Sequence, residues 1–220
     1  MSSAGSWLAL LGLGAFHGIN PGMGWLFAVA LGLQERQRSA VWKALPPIAV
    51  GHALSVGLIV ALVALMHANI SVETLRWLAA LALVTFGVYR LVRARHPRWV
   101  GMRVGFSDLT LWSFLMASAH GAGLMLVPVF LGSEPQANAH EADLGHAHSG
   151  HGTDLALLSD PGLATLAVIV HTLGHLFLAG LVAFIVYEKL GVRILQRAWF
   201  NFDLAWAVAL IVSGVVTALI

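Results

Sequence analysis

Six long apolar runs constrain this chain more than any other feature, at about 7–33, 44–66, 74–94, 107–132, 161–187 and 199–220. Roughly 20 apolar residues, wound as a helix rising about 1.5 Å per residue, cross a hydrocarbon layer about 30 Å thick. Inside such a layer every backbone N–H and C=O must find its partner within the protein, and a helix satisfies them within the segment itself. The runs therefore predict an all-α integral membrane protein with six transmembrane helices. Composition agrees, because 10% of the 220 residues are charged, against about a quarter in a soluble domain.

The same composition excludes several classes. A formal charge of +2 gives no reason to expect nucleic acid as a partner, and the lipid bilayer is the expected one. With no cysteine, disulfides, thiolate metal sites and iron–sulfur clusters are ruled out. The N-terminus, MSSAGSWLALLG, lacks the basic region of a cleaved signal peptide, so the first run is expected to be a retained span.

Span boundaries carry local signals. Ser71 precedes the third run, Ser107 and Asp108 open the fourth, and Asp160 before Pro161 is a cap and first-turn pair for the fifth. Trp7, Trp25, Trp42, Trp77, Trp99, Trp112 and Trp199 mostly fall near span ends, as interfacial aromatics do. Basic residues gather in alternate connections: Arg36, Arg38 and Lys43; then Arg90, Arg93, Arg95, Arg98 and Arg103; then Lys189, Arg193 and Arg197. These connections should be cytoplasmic, with both termini and the fourth connection outside, in a bacterial inner membrane.

The two halves resemble each other. His17-Gly18 in the first run matches His120-Gly121 in the fourth, and Gly51-His52 in the second matches Gly174-His175 in the fifth. Three spans per half force the second half to enter the membrane in the opposite direction. The expected architecture is a single membrane domain of two inverted three-helix repeats, residues 1–105 and 106–220.

His17, His52, His120, His171 and His175 all fall inside the predicted spans, where a polar side chain needs a partner or water. One such histidine is as readily a helix-to-helix hydrogen-bonding residue as a ligand; five placed by a repeat point to a site. His171 and His175 share a helix face, as do Met116 and His120. Met23 and Met125 follow their histidines closely enough to be soft ligands, although any one methionine is more often packing. Pro21 cannot donate to the carbonyl of His17, so with Gly18 and Gly22 it predicts a helix break, the freed carbonyl needing a side chain, water or ion. No Asp or Glu lies deep in a span, Asp203 coming nearest, which leaves proton coupling to histidine.

The fourth connection, residues 133–160, carries His140, His146, His148 and His151 among Gly, Ala, Ser and acidic residues. Its composition is either a metal-capturing tract or a simple solvated linker. Neutral imidazole suits Ni, Co, Cu and Zn.

GAFHGINPG resembles the His-Gly-x-x-Pro-Gly motif of the nickel/cobalt transporter superfamily, including RcnA-like and UreH-like proteins, within the LysE-like transporters. GHALSV resembles the Gly-His-Ser-x-Val-Val motif of nickel/cobalt permeases. The resemblance implies a transporter rather than an enzyme, with His17 and His52 as ligand or selectivity positions and Asn20 at a usually acidic site. It also puts Met23 where the family commonly has a second histidine. An amide for a carboxylate and a thioether for an imidazole soften the site, which admits Cu(I) beside Ni(II) and Co(II) as the substrate ion. No organic cofactor is implied; a homodimer or an auxiliary subunit stays open. Three other readings stand beside it. They are a membrane cytochrome with histidine haem ligands, an intramembrane zinc hydrolase, and a LysE-like exporter of an organic solute.

Overall fold

The computed structural model describes residues 3–92, 105–131, 160–190 and 202–219, and these residues are helical with no strand. The helices in chain order are α1 (Ser3–Ile19), α2 (Trp25–Glu35), α3 (Arg38–His67) and α4 (Val72–Val92). They are followed by α5 (Phe106–Ala119), α6 (Val127–Leu131), α7 (Pro161–Ile185) and α8 (Phe202–Leu219). A 3-10 turn, Pro21–Met23, lies between α1 and α2; another, Leu124–Leu126, leads into α6; and a π-turn, Val186–Leu190, continues α7. The histidine-rich tract, with His140, His146, His148 and His151, lies outside the described residues.

Helices α3, α4 and α7 are each long and apolar enough to cross a membrane. Helix α5 with Leu124–Leu131 makes a fourth if the pair is one span, bent by 51°. The first and last expected spans are not of this kind. The first is divided into α1 and α2, both short apolar helices, and the described apolar part of α8 is also short. The outward faces of the long helices are apolar: Leu54, Leu58, Leu62 and Leu65 on α3, Leu81 on α4, and Leu173 and Phe177 on α7 are all exposed. A contiguous apolar exterior of this kind suits lipid and not water.

Three helix pairs make the most extensive contacts: α1 with α7, α3 with α5, and α4 with α8. Helix α3 also packs on α7, and α2 on α3. Two apolar clusters result. One holds Leu10, Met23, Val56, Val60, Leu83, Met125, Leu126 and Leu210. The other holds Trp25, Ala28, Val29, Val41, Ile48, Leu109 and Ala183. Trp25, expected at an interface, is buried, and its indole N–H donates to the Ile19 carbonyl across the break (2.9 Å). Arg38 and Lys43, expected in a connection, lie on the first turns of α3, where Arg38 Nε meets Glu188 Oε1 at 2.6 Å.

Candidate functional site: a buried histidine cluster

The site is assembled by close approach of α1 and α7. A Cβ on Gly14 would lie 2.0 Å from the His171 carbonyl oxygen, and one on Gly174 would lie 2.4 Å from that of Leu11. The two backbones can touch only because neither position carries a side chain. Gly18 takes part in the same seam, facing the His175 carbonyl, so it lies inside α1 and not in the break.

This seam sets His17 beside His171, with ring centroids 5.0 Å apart. Helix α3 adds His52, 5.7 Å from His17 and 5.3 Å from His171. His175, one turn after His171, stacks on His52 at 4.1 Å with the ring planes 5° apart. All four side chains are buried.

Their hydrogen bonding is incomplete in an ordered way. His17 Nδ1 donates to the Leu13 carbonyl (2.6 Å), and His171 Nδ1 to the Leu10 carbonyl (3.1 Å). A carbonyl only accepts, so each Nδ1 carries the proton and each Nε2 is left with its lone pair. Neither Nε2 has a protein partner, nor has either ring nitrogen of His52 or His175. An unpaired buried polar atom costs roughly 1–3 kcal/mol. Six of them in one place are a poor way to hold helices together and a suitable way to receive a ligand. Fixing one ring nitrogen on a carbonyl while the other stays available is how proteins orient metal-binding histidines. As the rings stand, they stack and cross instead of converging: among the described residues, no three His, Asp or Glu side chains form a metal-holding group.

His120 stands outside this cluster. It caps the C-terminus of α5, its Nδ1 donates to the Met116 carbonyl (2.7 Å), and its Nε2 accepts from Arg90 Nη2 (3.2 Å). Its carbonyl accepts from the Trp206 indole. Both ring nitrogens are thus engaged. Trp206 stacks on Phe16 and meets His17 edge-on at 4.7 Å and His120 at 5.6 Å, touching both groups.

Arg90 and Trp206 are absent from the sequence-derived site. Arg90 sits in the last turn of α4, buried, although its charge assigns it to a connection. Trp206 is the eighth tryptophan and, like Trp25, lies several residues inside its apolar run; that position was the available signal.

The break in the first expected span falls at Asn20 to Gly24. Asn20 Oδ1 accepts from the Gly22 N–H (2.9 Å) and caps the 3-10 turn begun by Pro21. The carbonyl of His17 that Pro21 cannot serve accepts the Asn20 backbone N–H (3.2 Å), so it needs no water or ion. Gly24 holds φ at +124°, a left-handed value that glycine adopts without strain, and Ile48 packs directly on it. Asn20, Met116 and His120 meet around Gly22: a Cβ there would lie 3.3 Å from Asn20 Oδ1, 3.1 Å from Met116 Cε and 3.7 Å from His120 Cε1. Asn20 Nδ2 is buried without a partner. Met23 and Met125 are buried in the first apolar cluster, among Val56, Val60 and Leu126.

No protein-family model, curated protein or solved structure matches this chain.

Proposed function

We propose that this chain is a membrane transporter of a transition-metal ion, Ni(II), Co(II) or Cu(I), which binds among His17, His52, His171 and His175. One observation carries the reading: four buried imidazoles from three helices meet with six ring nitrogens unpartnered, two of them oriented by backbone carbonyls. An all-nitrogen, uncharged donor set suits late first-row ions and disfavours Mg(II) or Ca(II). Imidazole ligands in a tetrahedral site, with bonds of about 2.1 Å, place their nitrogens roughly 3.4 Å apart. Such ligands have their ring centroids about 5.3 Å apart. Those of His17 and His171, His52 and His171, and His17 and His52 lie 5.0, 5.3 and 5.7 Å apart, so a turn of these three rings, not a new fold, would gather their lone pairs. The stacking at 4.1 Å leaves no gap between His52 and His175 for a porphyrin, which argues against axial haem ligation by that pair.

The six-span, inverted-repeat architecture belongs to this proposal. Helices α1 and α2 count as one broken span, α5 with Leu124–Leu131 as a second, and α8 as the sixth. The pairing of helices supports it. Exchanging the halves, 1–105 for 106–220, turns the α1–α7 pair into α5–α3 and returns α4–α8 to itself, and these are the three most extensive pairs. Binding near a repeat axis with alternating access to the two faces is the transport scheme such symmetry permits. The relation to nickel/cobalt transporters rests on the two motifs alone. In the proposed orientation the basic connections are cytoplasmic, and the tract with His140, His146, His148 and His151 lies outside, where it can hold an ion before or after passage.

The test is ion uptake by proteoliposomes, with elemental analysis of the purified protein, for wild type, His17→Ala and His52→Ala. Both variants should stay folded, lose the bound ion and lose uptake. Full uptake by both would remove the site; a haem absorption band in wild type would replace the reading.

A further inference from the structure

The contacts define the relation between the halves more finely than the His-Gly motifs do. Gly51 of α3 abuts the Thr110 carbonyl and Phe114 N of α5, and Gly174 of α7 abuts the Leu11 carbonyl and Ala15 N of α1. Thr110 and Phe114 therefore stand to Gly51 as Leu11 and Ala15 stand to Gly174. Carried along the helices, this register pairs Gly14 with Ser113, and a second contact agrees. Gly14 faces the His171 carbonyl, and Ser113 Oγ donates to the Ile48 carbonyl (2.7 Å), Ile48 preceding His52 by one turn as His171 precedes His175. The apolar packing is of a piece with this, since Ile48 and Leu109 belong to one cluster and His171 bonds the Leu10 carbonyl. In this register the counterpart of His17 is Met116, not His120, which lies one turn further on.

The consequence is an asymmetry. His52 and His175 are counterparts, and their near-parallel rings in contact sit where a two-fold axis would pass. His17 and His171 both approach His52, with ring centroids 5.7 and 5.3 Å away. Their counterparts are Met116 and Ile48, both buried, and Ile48 is packed against Gly24 in the break.

We propose that the cluster is one of two pseudo-equivalent ion positions flanking the His52–His175 stack, and that Ile48 and Met116 close the second. This rests on the metal-transport reading above. The protein then holds a single ion, off the axis on the α1–α7 side, and Ile48 is a specificity-determining residue although it binds nothing. A β-branched hydrocarbon at position 48 denies the stack a third imidazole from α3. The thioether of Met116 leaves only a soft donor opposite His17, so a second position opened at 48 would prefer Cu(I) to Ni(II).

The experiment moves one imidazole across the stack in the full chain. His140, His146, His148 and His151 are first changed to Ala, so that the outer tract contributes no ions. Cu(I) and Ni(II) are then counted per chain by elemental analysis after gel filtration, for this parent, His171→Ile, Ile48→His, and the exchange Ile48→His with His171→Ile. The parent should hold one ion and His171→Ile should bind at least ten-fold more weakly. The exchange should regain most of one equivalent with Cu(I) favoured over Ni(II), and Ile48→His alone should approach two. A parent saturating at two ions overturns the inference without any variant at position 48. Folded, monodisperse Ile48→His still at one ion overturns it too, as does an exchange variant no better than His171→Ile, while the transport reading survives all three. A parent that binds no ion removes both.

Discussion

The residues of this site divide by whether their polar atoms are engaged, and that division predicts opposite phenotypes. His120 is bonded at both ring nitrogens and at its carbonyl, so it holds α4, α5 and α8 together. Changing His120→Ala removes its bonds to Arg90 and to the Met116 carbonyl and is expected to cost roughly 1–3 kcal/mol, seen as a lower Tm, with the bound ion kept. His52→Ala removes a ring with no hydrogen bond to lose, and should give up the ion with little change in Tm. Paired Tm and elemental analysis separate the two; equal ion loss in both variants would put His120 back in the site. Sequence could locate all five histidines by their place in apolar runs, but not this division. The Leu13 carbonyl lies one turn before His17 in its own helix, but the other deciding partners, the Leu10 carbonyl, Arg90 and Trp206, are neighbours distant in the chain.

At the scale of the helix, the α1–α7 seam governs the site from outside it. Gly174→Ala would bring a methyl group against the Leu11 carbonyl at 2.4 Å and force the backbones apart. The expected cost is about 1–3 kcal/mol, together with weaker ion binding, although no histidine is touched. Gly12, also in α1, has nothing within 4 Å of an added Cβ, and Gly12→Ala should be neutral or stabilising by up to about 1 kcal/mol with ion binding unchanged. Thermal denaturation with an ion titration checks both, and an indifferent Gly174→Ala would deny the seam its role. The break between α1 and α2 follows a similar logic. Pro21 announces it in the sequence, but its repair by the Asn20 cap, the Trp25 indole and the Ile48–Gly24 contact is local geometry plus one long-range neighbour.

For the whole molecule, the absence of cysteine makes topology directly measurable. In the six-span reading, Gln37 after α2 and Asn69 after α3 face opposite sides of the membrane. Single-cysteine variants Gln37→Cys and Asn69→Cys in oriented vesicles should react with an impermeant thiol reagent from opposite faces, Asn69→Cys from outside. Labelling of both from one face would leave α3 short of a crossing and end the six-span scheme. The helix pairing makes a companion prediction, that α3 and α5 stay associated as firmly as α1 and α7. Gly51→Ala, which meets the Thr110 carbonyl at 2.2 Å, should therefore lower Tm about as much as Gly174→Ala.

Legible in the residues alone were the helices and their apolar outer surface, the place where the first helix must break, and which histidines are buried. Each is written in neighbouring residues: hydropathy over about 20 positions, the missing N–H of a proline, a polar side chain inside an apolar run. What no local pattern could show is that four of the five histidines meet and that the fifth is tied to Arg90. Those outcomes depend on the axial register and rotation of one helix against another. A shift of one turn leaves the local pattern unchanged, and contacts between distant segments, at the glycines and at Ser113, fix it.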